Sequence, residues 1–221
     1  MDRPALARLI EHTCLAPGAG ASRVDRACDE AVAFGMRVCV APVWVAHAVA
    51  RVHGRAGVVT VAGFPHGNTT TAAKCAEAHE AVRAGASEVD MVMHIGALKE
   101  RDEAGVVADI RAVADAVHGS DGRLLKVILE TALLSPAEIL LACRLAVEAG
   151  ADFVKTSTGF AAAGATVENV RLMRGAVPGT IGVKAAGGIR DYGTAVALIE
   201  AGATRIGASA SLDILRGAPE A

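Results

Sequence analysis

Three stretches of this chain repeat one design: VRAGASEV at 82–89, VEAGADFV at 147–154 and IEAGATRI at 199–206. A worn fourth copy, AFGMRV, covers 33–38. Each reads as the last turn of a helix, a glycine just beyond it, and entry into an apolar strand. Glycine suits that position because the left-handed conformation that ends a helix carries no Cβ penalty there. Recurrent helix–glycine–strand junctions are the skeleton of a parallel sheet whose strands are joined by helices.

Short runs rich in Val and Ile supply the strands, at 37–41, 58–62, 88–93, 124–129, 152–156, 181–185 and 204–207, with 12–15 as a weaker first strand. Buried parallel strands have this near-continuous apolar character. The clearest helix is 136–149: Ser135 is a ready N-cap, Pro136 takes the first position, Glu138 completes a capping box, and Gly150 ends it. Eight βα units predict a single-domain α/β protein, a (β/α)₈ TIM barrel over residues 1–221, a short chain for that architecture. A doubly wound open sheet shares the same local signals and is the alternative. No linker or low-complexity segment divides the chain.

Composition narrows the function. Hydrophobic residues make up 52% and aromatics only 3%, so the core must be built from Ala, Val, Leu and Ile. The net charge is −2 without a basic stripe, which argues against nucleic acid as a partner. The opening MDRPALARLIEHT is too charged for a signal peptide, and no charge-free stretch is long enough for a membrane span. Five cysteines with no CxxC pair suggest neither a disulfide framework nor a zinc site, so a reduced, cytoplasmic setting is expected.

In such a barrel, function sits at the C-terminal ends of the strands. Alternation places Lys155 opposite Val154, Lys184 opposite Val183, Lys126 beside Val127, and Asp90 between Val89 and Met91. With the apolar neighbours facing the helices, three lysines and one aspartate point into the barrel. One reading is a structural ion-pair network. The other is a site, because buried charges are costly unless useful. A lysine attacks a carbonyl only as the neutral amine, about one molecule in several thousand at pH 7 for a pKa of ~10.4. Desolvation and a neighbouring ammonium lower that pKa, and the resulting Schiff base is an electron sink for C–C cleavage without a metal. Asp90 is the candidate for proton transfer.

Gly-rich turns follow the last two strands, Ala186-Gly187-Gly188 and the segment 207–211 that opens the final helix. Loops after strands seven and eight commonly hold phosphate in these barrels, although two ordinary tight turns would look alike. His12, His66 and His94 fall near strand ends without metal-ligand spacing, and no catalytic metal is expected.

The segments EHT at 11–13, VCVAP at 38–42, GFPHGN at 63–68, EVDMVMHIGALK at 88–99, LKVILET at 125–131, DFVKTSTGF at 152–160, GVKAAGGIR at 182–190 and RIGAS at 205–209 resemble the deoxyribose-phosphate aldolase family. The resemblance runs from about residue 11 to 211. It implies reversible cleavage of 2-deoxyribose 5-phosphate to glyceraldehyde 3-phosphate and acetaldehyde, with no cofactor. It makes Lys155 the Schiff-base lysine, Lys184 the second lysine that tunes it, and Asp90 part of the proton relay. Gly159, Gly187, Gly188, Gly207 and Ser209 match the family's phosphate-binding segments. A homo-oligomer, by analogy a dimer, is also implied. Glu11, Ala16, His94 and Ala210 depart from the usual residues, leaving Ser209 and Ser211 to supply hydroxyls to phosphate. Whether Lys126 takes part stays open. The rival readings are a Schiff-base aldolase for another phosphosugar, a non-catalytic phosphosugar binder, and a sugar-phosphate isomerase or epimerase.

Overall fold

The structure is a computed structural model that describes residues 1–119 and 122–220. Eight parallel strands close into a barrel in sequence order: β1 (Ile10–Cys14), β2 (Arg37–Val40), β3 (Val58–Ala62), β4 (Glu88–Val92), β5 (Leu124–Ile128), β6 (Phe153–Lys155), β7 (Gly182–Ala186) and β8 (Arg205–Ala208), with β1 pairing β8. The open-sheet alternative is therefore set aside. Helix α1 (Arg3–Leu9) precedes the barrel. The ring of helices is α2 (Ala21–Phe34), α3 (Val45–Val52), α4 (Thr71–Arg83), the short α5 (Ile95–Lys99), α6 (Glu103–His118), α7 (Pro136–Glu148), α8 (Val167–Ala176), α9 (Tyr192–Glu200) and α10 (Ser211–Arg216).

The repeated glycines do what their position demands. Gly35, Gly85, Gly150 and Gly202 all take positive φ, from 73° to 112°, at the turn from helix into strand. The capping box at Ser135 and Glu138 is present in full. The weak first strand begins two residues earlier than its apolar pattern indicates, at Ile10, so Glu11 lies within the sheet rather than before it.

The strands sort their side chains by face. Val89, Met91, Val127, Val154 and Val183 pack outward into one apolar layer with helix residues such as Ile110, Ile139 and Leu198. The opposite face of the same strands carries Asp90, Lys126, Lys155 and Lys184, all buried. Lys155 is the register partner of Lys184, and Asp90 of Lys126, so pairing alone brings these groups to adjacent strands at nearly one height.

Candidate active site

The interior of the barrel is a column of charge. At its lower end Glu88, the first residue of β4, meets Arg205 of β8 at 3.0 Å and Lys126 at 2.5 Å. Above them Asp90 takes Lys126 at 2.8 Å, Lys184 at 2.6 Å and Lys155 at 2.8 Å. Glu11 of β1 closes the ring, bonding Lys184 and lying 3.0 Å from Arg205 and 3.4 Å from Lys126. Phe153 faces the same interior, its ring centroid 5.2 Å from the Arg205 guanidinium and 5.9 Å from the Lys126 ammonium.

Glycines make room for these side chains. A Cβ on Gly182 would stand 2.0 Å from the Phe153 ring, and one on Gly207 would press at 3.0 Å on Cε of Lys184. Thus Gly207, expected from the sequence as a phosphate residue, also clears the path of the second lysine.

The electrostatics separate the two lysines. Burial pushes the Lys155 pKa down. Asp90 opposes that, Lys184 reinforces it, and the net direction is below the ordinary lysine value. Lys184 is equally desolvated, but it sits between Asp90 and Glu11 and is held above the ordinary value, a firm ammonium. Burial also works against the charge on Asp90, yet three surrounding lysines hold its pKa well below the usual carboxylate range. With Lys155 neutral, the carboxylates Glu11, Glu88 and Asp90 are already matched by the buried Lys126, Lys184 and Arg205, and Glu88 also takes the half-buried Arg37 at 2.9 Å. A proton on Lys155 would add to a positive excess in a medium that tolerates imbalance poorly.

Above the column lies a cavity of about 310 Å³ at the C-terminal mouth of the barrel. Lys155 stands at its base. Gly159, Gly187, Gly188, Gly207 and Ser209 line it, so five of the residues expected from sequence to hold phosphate come together there. Ser211 does not join them. Its side chain is buried and its hydroxyl donates to the Ala208 carbonyl at 2.8 Å, which leaves Ser209 as the hydroxyl of this segment that reaches the cavity. The loops after β6 and β7 touch backbone to backbone: a Cβ on Gly164 would fall 2.1 Å from the Gly187 carbonyl oxygen.

Several contributors escaped the sequence reading. Arg23 and Arg190 line the cavity and supply positive charge at the mouth. Glu88 and Arg205 belong to the column, and period-two alternation from Asp90 and Gly207 was the signal that could have found them. His94 is a helix cap, its Nδ1 accepting the Ala97 amide at 2.8 Å. His12 is paired with Glu30 at 2.8 Å, and burial lowers its pKa. Among the described residues no group of three or more His, Cys, Asp or Glu is placed to hold a metal ion, and no helix is long and apolar enough to cross a membrane.

A barrel with a desolvated amine at the base of a polar mouth, and a carboxylate and a second amine against it, belongs to the class of enzymes that work on carbonyl carbon. The profile of the DeoC/LacD family aldolases matches residues 12–217, and the chain belongs to that family. It is 52% identical to deoxyribose-phosphate aldolase 1 of Bacillus licheniformis over 96% of this chain and 95% of that protein. It is 51% identical to the deoxyribose-phosphate aldolase of Streptococcus pneumoniae strain G54, over 96% of each chain. Among solved structures, the deoxyribose phosphate aldolase of Aeropyrum pernix, described as a tetramer, superposes with a TM-score of 0.88 at 32% identity, covering 97% of this chain and 91% of that one.

Proposed function

We propose that this aldolase cleaves 2-deoxyribose 5-phosphate reversibly to glyceraldehyde 3-phosphate and acetaldehyde through a Schiff base on Lys155. The observation that carries the reading is the split between the lysines. One buried amine is pushed towards neutrality while its register partner stays charged, and both touch Asp90.

The neutral Lys155 amine attacks C1 of the open-chain sugar, and loss of water gives an iminium. Removal of the proton on the C3 hydroxyl lets the C2–C3 bond break, its electron pair passing to the iminium to form an enamine. Glyceraldehyde 3-phosphate leaves. Protonation at C2 and hydrolysis then free acetaldehyde and restore the amine. Asp90, within hydrogen-bond reach of both lysines, is the shared acceptor through which protons pass. The Lys126 and Lys184 ammonium contacts keep it ionised, and they make it a better relay and orienting group than a strong base. The phosphate lies in the wall formed by Gly159, Gly187, Gly188, Gly207 and Ser209, with Arg23 and Arg190 at the rim. A metal plays no part, and the enzyme works in the cytoplasm as a homo-oligomer.

Borohydride treatment with deoxyribose 5-phosphate tests the reading. A two-carbon adduct on Lys155 is expected by peptide mapping, with acetaldehyde as the released product and full activity after exhaustive chelation. An adduct on Lys184 would reverse the two roles. A product other than acetaldehyde would move the substrate to another phosphosugar.

A further inference from the structure

The chain leaves β5 through a residue in an unfavourable conformation. Glu130 has φ 57° and ψ 65°, the left-handed region, which a glutamate enters at a cost of about 1 kcal/mol or more. It is also 3% exposed. No cationic nitrogen lies within 4.0 Å of its carboxylate among the described residues, and Oε1 has no hydrogen-bond partner in the protein. A strained backbone and a buried carboxylate without a counter-charge are two separate penalties at one residue.

What they secure is a turn in the next loop. Oε2 of Glu130 accepts the Thr158 amide at 3.2 Å and, at shorter range, the Thr158 hydroxyl. The Thr158 oxygen in turn accepts the Phe160 amide at 3.1 Å. Two backbone bonds fasten the same loops together, Leu129 N–H to the Lys155 carbonyl and Thr131 N–H to the Thr156 carbonyl, both at 2.9 Å. The clamped turn has Gly159 at its centre, with φ 87°, and Thr158, Gly159 and Phe160 all line the cavity, three to five residues beyond Lys155.

We propose that Glu130 is a positioning residue: its carboxylate clamps the Thr158–Phe160 turn and thereby sets the part of the phosphate wall in which Gly159 packs against Gly187. The inference rests on the phosphosugar reading above. It assigns Glu130 to the acceptor half of the substrate and not to the amine chemistry, because its contacts reach the turn and none reaches Lys155, Lys184 or Asp90.

Two variants approach the clamp from opposite sides. Glu130→Ala removes the acceptor, and Thr158→Val removes the hydroxyl donor. Each is expected to raise KM for deoxyribose 5-phosphate on the order of 10-fold or more, as expected for loss of charge-assisted hydrogen bonds. Each should erode the preference for that substrate over unphosphorylated deoxyribose. Borohydride trapping of acetaldehyde on Lys155, and the acid limb of the pH–rate profile, should stay as in the parent. The double variant should be little worse than either single one, since both cut the same link. Glu130→Gln keeps the shape and one acceptor oxygen, and should recover part of the preference. It also serves where the alanine variant fails to fold. Equal losses on phosphorylated and unphosphorylated substrate, a moved acid limb, or an unaltered preference in Glu130→Gln and Thr158→Val would overturn the clamp. A parent enzyme that shows neither adduct nor phosphate preference would overturn the phosphosugar reading beneath it, and the clamp with it.

Discussion

Between the sheet and the helices the molecule buries side chains such as Ile110, Ile139, Val154 and Leu198. Within the sheet it buries Glu11, Glu88, Asp90, Lys126, Lys155, Lys184 and Arg205. The same strands serve both layers, since Val154 and Lys155 are neighbours in sequence and differ only in the face they take. The outer layer is what folding needs, a shell apolar apart from the buried Lys74–Asp109 pair between α4 and α6, which non-directional burial stabilises. The inner layer is what folding tolerates. Desolvating seven ionisable groups recovers little net stability even when they are well paired, and apolar residues of similar volume would often serve stability as well or better. The difference bears on where function resides: the layer that is poor value for stability is the one organised around the amine proposed to react. Variants that change one layer without the other can break or sharpen this division.

The largest effect is expected from Lys155→Leu. Turnover should fall on the order of 10⁴-fold or more, and the borohydride adduct should vanish. Stability should hold, or rise slightly. The substitution leaves three carboxylates and three buried cations in the column and removes only the amine whose pKa burial already depresses. A large drop in Tm would show that Lys155 holds the fold and that the inner layer is structural after all.

Next in size is Lys184→Leu. It removes the ammonium beside Lys155 and frees Asp90 to bind Lys155 more closely. Both changes raise the Lys155 pKa, so the neutral fraction at pH 7 falls. Activity there should drop on the order of 10²-fold, with partial recovery towards pH ~10. The acid limb of the profile must move to higher pH, and a limb that stays in place refutes the tuning role. In contrast to Lys155→Leu, this change should cost about 3–5 kcal/mol of stability, because Glu11 loses its closest partner while remaining buried. Kinetics are therefore to be read where circular dichroism shows the variant folded.

The two layers also differ in how legible they were in the sequence. The outer layer was plain: apolar runs marked the strands, and the AG junctions at Gly85, Gly150 and Gly202 marked their entries. Period-two alternation also aimed Lys155, Lys184, Lys126 and Asp90 inward, because it needs only local geometry. What the sequence did not disclose depends on closure. Glu11 reaches Lys184 across 173 residues and Arg205 reaches Glu88 across 117, contacts that exist only once β8 pairs with β1. Glu130 was invisible for another reason. A glutamate in the left-handed region carries no compositional mark, whereas a glycine there would have announced a turn. Ser211 was misjudged because a hydroxyl near a phosphate loop reads the same whether it faces the cavity or its own backbone.

Acid titration reaches the inner layer through Glu88, alongside outer carboxylates such as Glu138, and should have a smaller effect. Burial raises the pKa of Glu88, but Lys126 and Arg205 outweigh it and bring the folded value down from 4.5 to about 2. A carboxyl whose folded pKa is depressed contributes stability that is present above its unfolded pKa, near 4.5, and lost as the pH falls through about 2. The loss attributable to Glu88 between those limits is on the order of 3 kcal/mol. Urea unfolding from pH 5.5 downward should show it, and Glu88→Gln should flatten the slope although its stability starts lower. A Glu88→Gln variant whose slope equals the parent's would mean that Glu88 contributes no net electrostatic stabilisation to the column.

The smallest effect belongs to the outer layer and is the sharpest control on the division. Ile110 of α6 is fully buried in the apolar shell between sheet and helices and touches none of the column. Ile110→Val removes one methylene, which costs about 0.5–1.5 kcal/mol through lost transfer free energy and incomplete collapse of the space left behind. That loss is visible as a lower denaturation midpoint at an unchanged slope. Nothing in it alters the charges around Asp90, the register of Lys155 on Lys184, or the turn at Gly159. Accordingly kcat/KM for deoxyribose 5-phosphate and the position of the acid limb should match the parent below the unfolding transition. The comparison with Lys155→Leu is then complementary: one variant loses stability and keeps chemistry, the other loses chemistry and keeps stability. A shift of the acid limb in Ile110→Val would mean that shell packing sets the distance between the lysines, and the two layers would have to be treated as one mechanical unit.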